Sequence, residues 1–204
     1  METTTIVGTD GKPRCRWCGS TPEMLLYHDT EWGYPVSDDR RLFEKLCLEG
    51  FQSGLSWRTI LDKRDHLREA FHRFDIDKVA AFNEQDVERL LNNKGIIRHR
   101  GKIEAVINNA KRAQELVKRE GTLAAFIWRY EPTADQLADP RTVTVSEASV
   151  ALSKDLKKLG WKFVGPTTMY AFMQSMGLIN DHVEECVIRY KAEAARKKFK
   201  RPGS

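Results

Sequence analysis

The chain has 204 residues, 41% of them hydrophobic, and a formal net charge of +5 with a sequence pI near 9.0. That length suits one domain with a real core. No apolar run approaches the roughly 18 residues needed to cross a bilayer, and the opening Met1–Gly8 stretch lacks the basic-then-apolar pattern of a secretory leader. A membrane protein and a secreted disulfide scaffold are therefore excluded as expectations, and the cytoplasm is expected. The four cysteines then read as thiols or metal ligands. The mild basic excess is compatible with nucleic acid without specifying it.

Residues 1–13 are polar and read as a loosely ordered extension, 14–190 as one domain, and 191–204 as a basic tail or frayed helix end. Within the domain the apolar period is helical. Ser37-Asp38-Asp39 starts a helix carrying Leu42, Phe43, Leu46 and Cys47 on one face, and Ser56 caps a second with Ile60 and Leu61. Short helices follow at 76–81 and 85–91, the second behind a candidate cap at Asn83. A long amphipathic helix spans 102–119 and breaks at Gly121. Residues 123–130 form another short helix, 132–145 a loop, and 146–159 a helix ending at Gly160. Strand-like alternation is almost absent, so the fold class is all-α.

The stretch Leu159-Gly160-Trp161-Lys162-Phe163-Val164-Gly165-Pro166-Thr167 joins two helices through a glycine-bounded hairpin. Proline suits the first turn of the second helix. The free N–H groups and positive dipole end of that turn form a phosphate site, with Lys157, Lys158 and Lys162 nearby to add charge.

A second constellation is split between the chain ends. Cys15, Cys18 and His28 stand near the start, and His182 and Cys186, four apart, near the end. Thiolate and imidazole ligands favour zinc, and a closed set of four is structural. Spacing leaves two sets open: Cys15 and Cys18 with His182 and Cys186, or Cys15 and His28 with the same pair. Either closes a loop of about 170 residues. Glu49 lies on the apolar face of its helix, where a carboxylate needs a partner.

These segments, together with Tyr27-His28-Asp29-Thr30-Glu31-Trp32-Gly33, Cys47-Leu48-Glu49-Gly50, Gly54-Leu55-Ser56-Trp57, Gly95–Ile103 and Asn180-Asp181-His182-Val183, resemble bacterial 3-methyladenine DNA glycosylase I, of the helix–hairpin–helix DNA glycosylase superfamily. The similarity runs from about Arg14 to Arg189. It implies a compact helical domain in which a zinc site, Cys15, His28, His182 and Cys186, joins the N- and C-terminal segments. It implies that Glu49 contacts the damaged base and is the candidate catalytic residue, with Tyr27 and Trp57 as aromatic pocket walls. Leu55 is the expected wedge in the opened duplex, and Gly165, Thr167 and Lys162 are expected at the DNA backbone.

Two departures from the superfamily bear on chemistry. Asn180 stands where many members carry a catalytic Asp, and Thr167 stands where lyases carry an imine-forming Lys. A monofunctional enzyme acting on a base already primed to leave is the consequence. Met24 also replaces a tyrosine that some relatives carry at the pocket edge. The expected partners are alkylated double-stranded DNA and free 3-methyladenine as product, the expected state a monomer, and the expected location the cytoplasm at the nucleoid. Competing readings are a zinc-stabilised module that binds damaged DNA without cutting a bond, and a glycosylase for oxidised or deaminated bases.

Overall fold

The computed structural model describes residues 4–203. Of the ten α-helices among the described residues, α2 (Asp39–Gln52) is the central one: its side chains are buried on nearly every face, with Leu42, Phe43, Leu46, Leu48 and Phe51 inside. The helix starts where Asp38 accepts a hydrogen bond from the Arg41 N–H. α3 (Trp57–Ala70) packs against it after a four-residue loop, and Ser56 caps α3 through the Thr59 N–H. α4 (Ile76–Ala80) and α5 (Glu84–Leu91) follow, the latter opened by a full capping box of Asn83 and Asp86. α6 (Arg100–Glu120) runs past α2 and α4 and ends at Gly121, whose φ of 86° suits glycine. α7 (Leu123–Ile127), α8 (Glu147–Lys158) and α9 (Pro166–Ser175) complete the main core.

The helical class holds, with three differences from the sequence reading. α1 (Pro22–Thr30) is a helix that periodicity does not announce, because its buried residues Met24, Tyr27 and His28 form no long apolar stripe. A small antiparallel ribbon pairs β1 (Thr5–Val7) with β2 (Pro13–Cys15), Thr5 opposite Cys15, so residues 5–15 are not a loose extension. The end is not loose either. α10 (Val187–Lys198) buries Ala192 and Arg196. Arg196 donates to the Gly177 carbonyl and pairs with Glu131 at 2.9 Å, and Arg201 adds a second contact to Glu131 at 2.9 Å. These basic side chains are docked onto the body rather than spread in solvent.

A second, smaller apolar cluster joins the two ends of the chain: Cys15, Tyr27 and Trp32 pack with Val183, Cys186 and Ile188, and Trp17 and Trp57 lean on it. Its position against α2 and α3 is what brings the two constellations of the sequence together.

Candidate active site and metal centre

The ligand atoms of Cys15, His28 and Cys186 all lie within 4.8 Å of one another, and all three residues are buried. Cys15 ends β2, His28 sits in the last turn of α1, and Cys186 caps α10. His182 is outside that tight group. Its Nε2, however, is buried with no hydrogen-bond partner among the described residues, and its ring meets those of His28 and Trp32 edge-on at 4.9 and 4.6 Å. An orphaned imidazole nitrogen beside two thiols and a second imidazole is a donor set that fits zinc. Each imidazole is also oriented through its other nitrogen: His28 Nδ1 faces Asp29 Oδ1 at 2.7 Å, and His182 Nδ1 faces Asn180 Oδ1 at 2.9 Å. Asp29 is held in turn by the Arg14 guanidinium at 2.9 Å. Cys18 donates to the Cys15 carbonyl at 3.0 Å and also bonds the His28 imidazole, while the tight group itself takes in His28 and not Cys18. Gly33 has φ 85°, and a Cβ there would come within 2.7 Å of the His182 ring, so glycine is required for this approach.

Beside this centre lies a cavity of about 260 Å³ bounded by Trp17, Tyr27, Trp32, Glu49, Trp57 and Gln174. That is just below the roughly 300–1,000 Å³ common for ligand sites, room for one small flat ring system. A larger depression of about 880 Å³ lies at the other end of α2 beside Arg41 and Arg68, but no residue expected at the site lines it. In the smaller cavity the Tyr27 and Trp57 rings stand 5.1 Å apart with 41° between planes. Glu49 is only 5% exposed. The indole N–H groups of Trp17 and Trp57 are buried without partners among the described residues, leaving two donors unsatisfied beside the cavity. Burial, reinforced by Glu49 and Glu31, pushes the Tyr27 phenol well above its usual range, so its hydroxyl keeps its proton.

Sequence reasoning missed several members of this site. Glu49 is not a lone carboxylate: the Lys45 ammonium lies 2.9 Å from its Oε1. An i,i+4 charge pair on an otherwise apolar helix face is the signal that marks it. Trp17 also lines the cavity, from within the Cys15–Cys18 segment, where no local pattern links it to the site. Gln174 and Arg141 also line it, tied together by buried Asp181, which accepts from Gln174 Nε2 at 2.5 Å and from the Arg141 N–H at 3.0 Å. Asn180, in the place of the superfamily's acid, faces His182.

The hairpin sits at the same end of α2. Gly160 takes φ 79°, Phe163 takes φ 56°, and Gly165 caps α9 with no side-chain acceptor, leaving first-turn N–H groups open. Asn109 holds the link by accepting from the Lys162 N–H at 2.8 Å and donating to its carbonyl at 2.9 Å. The Lys162 and Thr167 side chains are exposed. Gly50 allows the link to seat on α2: a Cβ there would stand 3.2 Å from the Phe163 Cβ. Leu55, 41% exposed, projects from the loop after α2, where Gly54 takes φ 77°. Lys102 anchors this loop by donating to the Phe51 and Ser53 carbonyls at 2.8 and 2.6 Å. Within a few residues of one helix end, Glu49 faces the cavity, Gly50 carries the hairpin and Leu55 projects outward.

Comparison with known proteins agrees with this geometry. The profile of the methyladenine glycosylase family matches residues 17–190. The chain is 49% identical over 177 residues to DNA-3-methyladenine glycosylase 1 of Escherichia coli K12, covering 85% of this chain and 95% of that protein. DNA-3-methyladenine glycosylase of Haemophilus influenzae is also 49% identical, over 85% and 96%. The structure of 3-methyladenine DNA glycosylase I from Staphylococcus aureus, solved to explain 3-methyladenine recognition, superimposes with a TM-score of 0.81 at 37% identity, covering 86% of this chain and 96% of that one. With the family profile spanning nearly the whole domain and relatives at this identity, the chain belongs to the methyladenine glycosylase family.

Proposed function

We propose that the protein is a monofunctional base-excision repair glycosylase that removes 3-methyladenine from alkylated double-stranded DNA. The observation that carries this reading is the buried Glu49 carboxylate in an aromatic-walled cavity, beside both the hairpin and the Leu55 loop. 3-Methyladenine attached to deoxyribose carries a positive charge spread over its ring. Aromatic faces attract such a ring by about 1–2 kcal/mol or more when desolvated, and a carboxylate favours it over neutral adenine.

In this reading the N–H groups of the first α9 turn at Gly165, with Thr167 and Lys162, grip the backbone. Leu55 fills the space left when the nucleotide rotates out of the stack. The base enters between Tyr27 and Trp57 and meets Glu49. Water bonds to the sugar carbon as the glycosidic electron pair passes to the ring nitrogen, which cancels the ring's charge, and the water proton goes to solvent. The base leaves neutral, so no enzymatic acid is required, consistent with Asn180. Thr167 offers no amine for an imine, and the strand is left intact at an abasic site.

Cys15, His28, His182 and Cys186 would hold one zinc ion, whose contribution is structural because four protein ligands close its coordination. Residues 14–190 form the glycosylase unit in this reading, acting as a monomer in the cytoplasm. Among the described residues no helix is long and apolar enough to cross a membrane.

Incubation of the purified protein with methylated duplex DNA, followed by chromatographic identification of released bases, tests the function. Free 3-methyladenine without strand scission is the expected result. DNA binding with no released base would support a damage-binding module instead, and equal release of uncharged damaged bases would overturn selection by charge.

A further inference from the structure

The proposed reaction leaves Lys45 without a task. Its side chain and that of Glu49 face each other from successive turns of α2, and both residues are 5% exposed. Besides its 2.9 Å contact with Glu49, the ammonium donates to the Tyr27 hydroxyl oxygen at 2.8 Å and stands 3.2 Å from a Trp57 ring centroid. One cation thus touches all three side chains assigned to base recognition. A carboxylate and two aromatic faces around a positive charge is also the set of contacts expected for the flipped adduct. Lys45 does not line the cavity; it stands behind its wall. The other charges that face it are Glu31 and Arg64, joined to each other by two hydrogen bonds at 2.8 and 2.9 Å.

We propose that Lys45 is a specificity-determining residue of this pocket: its ammonium is the standing countercation of Glu49, so the site weighs the outline of the flipped base more and its positive charge less. This rests on the glycosylase reading above. An incoming cation meets a carboxylate at the wall with an ammonium just behind it. Its net attraction is the difference between the two, whereas an uncharged base of the same shape feels the pair as a dipole and loses little. Lys45→Met keeps an unbranched apolar stem and removes the charge that lies against the Trp57 ring.

The test compares two duplexes, one carrying 3-methyladenine and one carrying its uncharged 3-deaza isostere. For the first, single-turnover excision gives the half-saturating enzyme concentration; for the second, fluorescence anisotropy gives Kd. In the Lys45→Met protein the first should fall by about fivefold, the effect of one lost opposing charge, while the second changes by less than about twofold. Parallel weakening of both would show Lys45 to be a mere prop for Trp57 and Glu49 and would overturn the proposal, as would no change in either.

Should the variant not fold, the wild-type protein supplies the readout. Burial, against the pull of Glu49, pushes the Lys45 ammonium down to about 8. The charged-to-uncharged ratio of the two constants should therefore fall between pH 7 and pH 9, and a flat ratio would overturn the proposal. Failure of the glycosylase reading itself is separately visible, because the wild-type protein would then release no base at any pH.

Discussion

Asn180 accepts a hydrogen bond from His182 Nδ1–H at 2.9 Å, and this fixes which imidazole nitrogen is left for a metal. The assignment follows from the other end of the amide, where Nδ2 donates to the Arg189 carbonyl at 3.1 Å, so Oδ1 is the free acceptor. At a position where other members of the superfamily place a reacting carboxylate, this protein has an orienting amide.

Asn180→Ala should therefore weaken zinc retention by about 10–100-fold, the usual effect of removing a group that orients a ligand. Competition with a chromogenic chelator measures it. Complete removal of zinc should lower Tm and alter tryptophan emission, since Trp17 and Trp32 pack on the two histidines at 5.3 and 4.6 Å. An Asn180→Ala protein that excised normally but lost metal readily would separate the two roles cleanly; one that retained metal as tightly as wild type would refute the orienting role.

Glu49→Gln should reduce excision of 3-methyladenine by roughly 10–100-fold, as expected for a charge-assisted contact worth about 1.5–3 kcal/mol. It should also destabilise the fold, because the Lys45 ammonium would be buried without its carboxylate. That second loss has a signature. It should shrink as pH is raised and Lys45 sheds its proton, so the gap in Tm between the two proteins narrows from pH 7 to pH 9.

Lys45 also shapes the stability of the wild-type protein. In the unfolded chain a lysine titrates near 10.5, and in the fold Lys45 titrates near 8. Between these values the unfolded state binds more protons than the native one, so stability attributable to this group rises with pH across that window. Below pH 8 the cost of the buried charge is felt in full. Urea denaturation at pH 7, 8, 9 and 10 should show this rise in the wild-type protein. The Lys45→Met variant should lack it, and identical slopes would contradict the assignment.

Leu55 and Lys102 should act on duplex opening rather than on base recognition. Leu55→Ala removes the exposed apolar tip, and Lys102→Met frees the loop that carries it by deleting the contacts to the Phe51 and Ser53 carbonyls. Both should slow excision from duplex DNA several-fold while leaving affinity for free 3-methyladenine within about twofold. Tryptophan quenching by the free base provides the second measurement.

Helices that begin with a side-chain acceptor and carry a clear stripe were legible from residues alone: Ser56 and Asn83 cap as expected, and the starts read at Ser37–Asp39 and Ser146 are capped by Asp38 and Ser146. α1 was not, although Thr21 followed by Pro22 is a start signal, because its buried residues serve the metal centre and the cavity rather than a single core face. The docked chain ends were hidden for another reason. Their polarity is answered by partners remote in sequence, Arg14 by Asp29 and Arg196 by Glu131 and the Gly177 carbonyl. The cavity itself was only half visible. Tyr27, Glu49 and Trp57 sit in recognisable motifs, whereas Gln174 and Arg141 depend on a shared carboxylate, Asp181, that no local pattern links to either.

The crowding of three tasks onto the last turns of α2 limits how such a protein can change. A slide or rotation of that helix would shift Glu49 at the cavity, the seating of the hairpin on Gly50 and the reach of Leu55 together. New substrate preferences are therefore accessible mainly by exchanging side chains around a stationary axle, at positions such as Met24 and Lys45. The backbone geometry that meets the DNA would remain as it is.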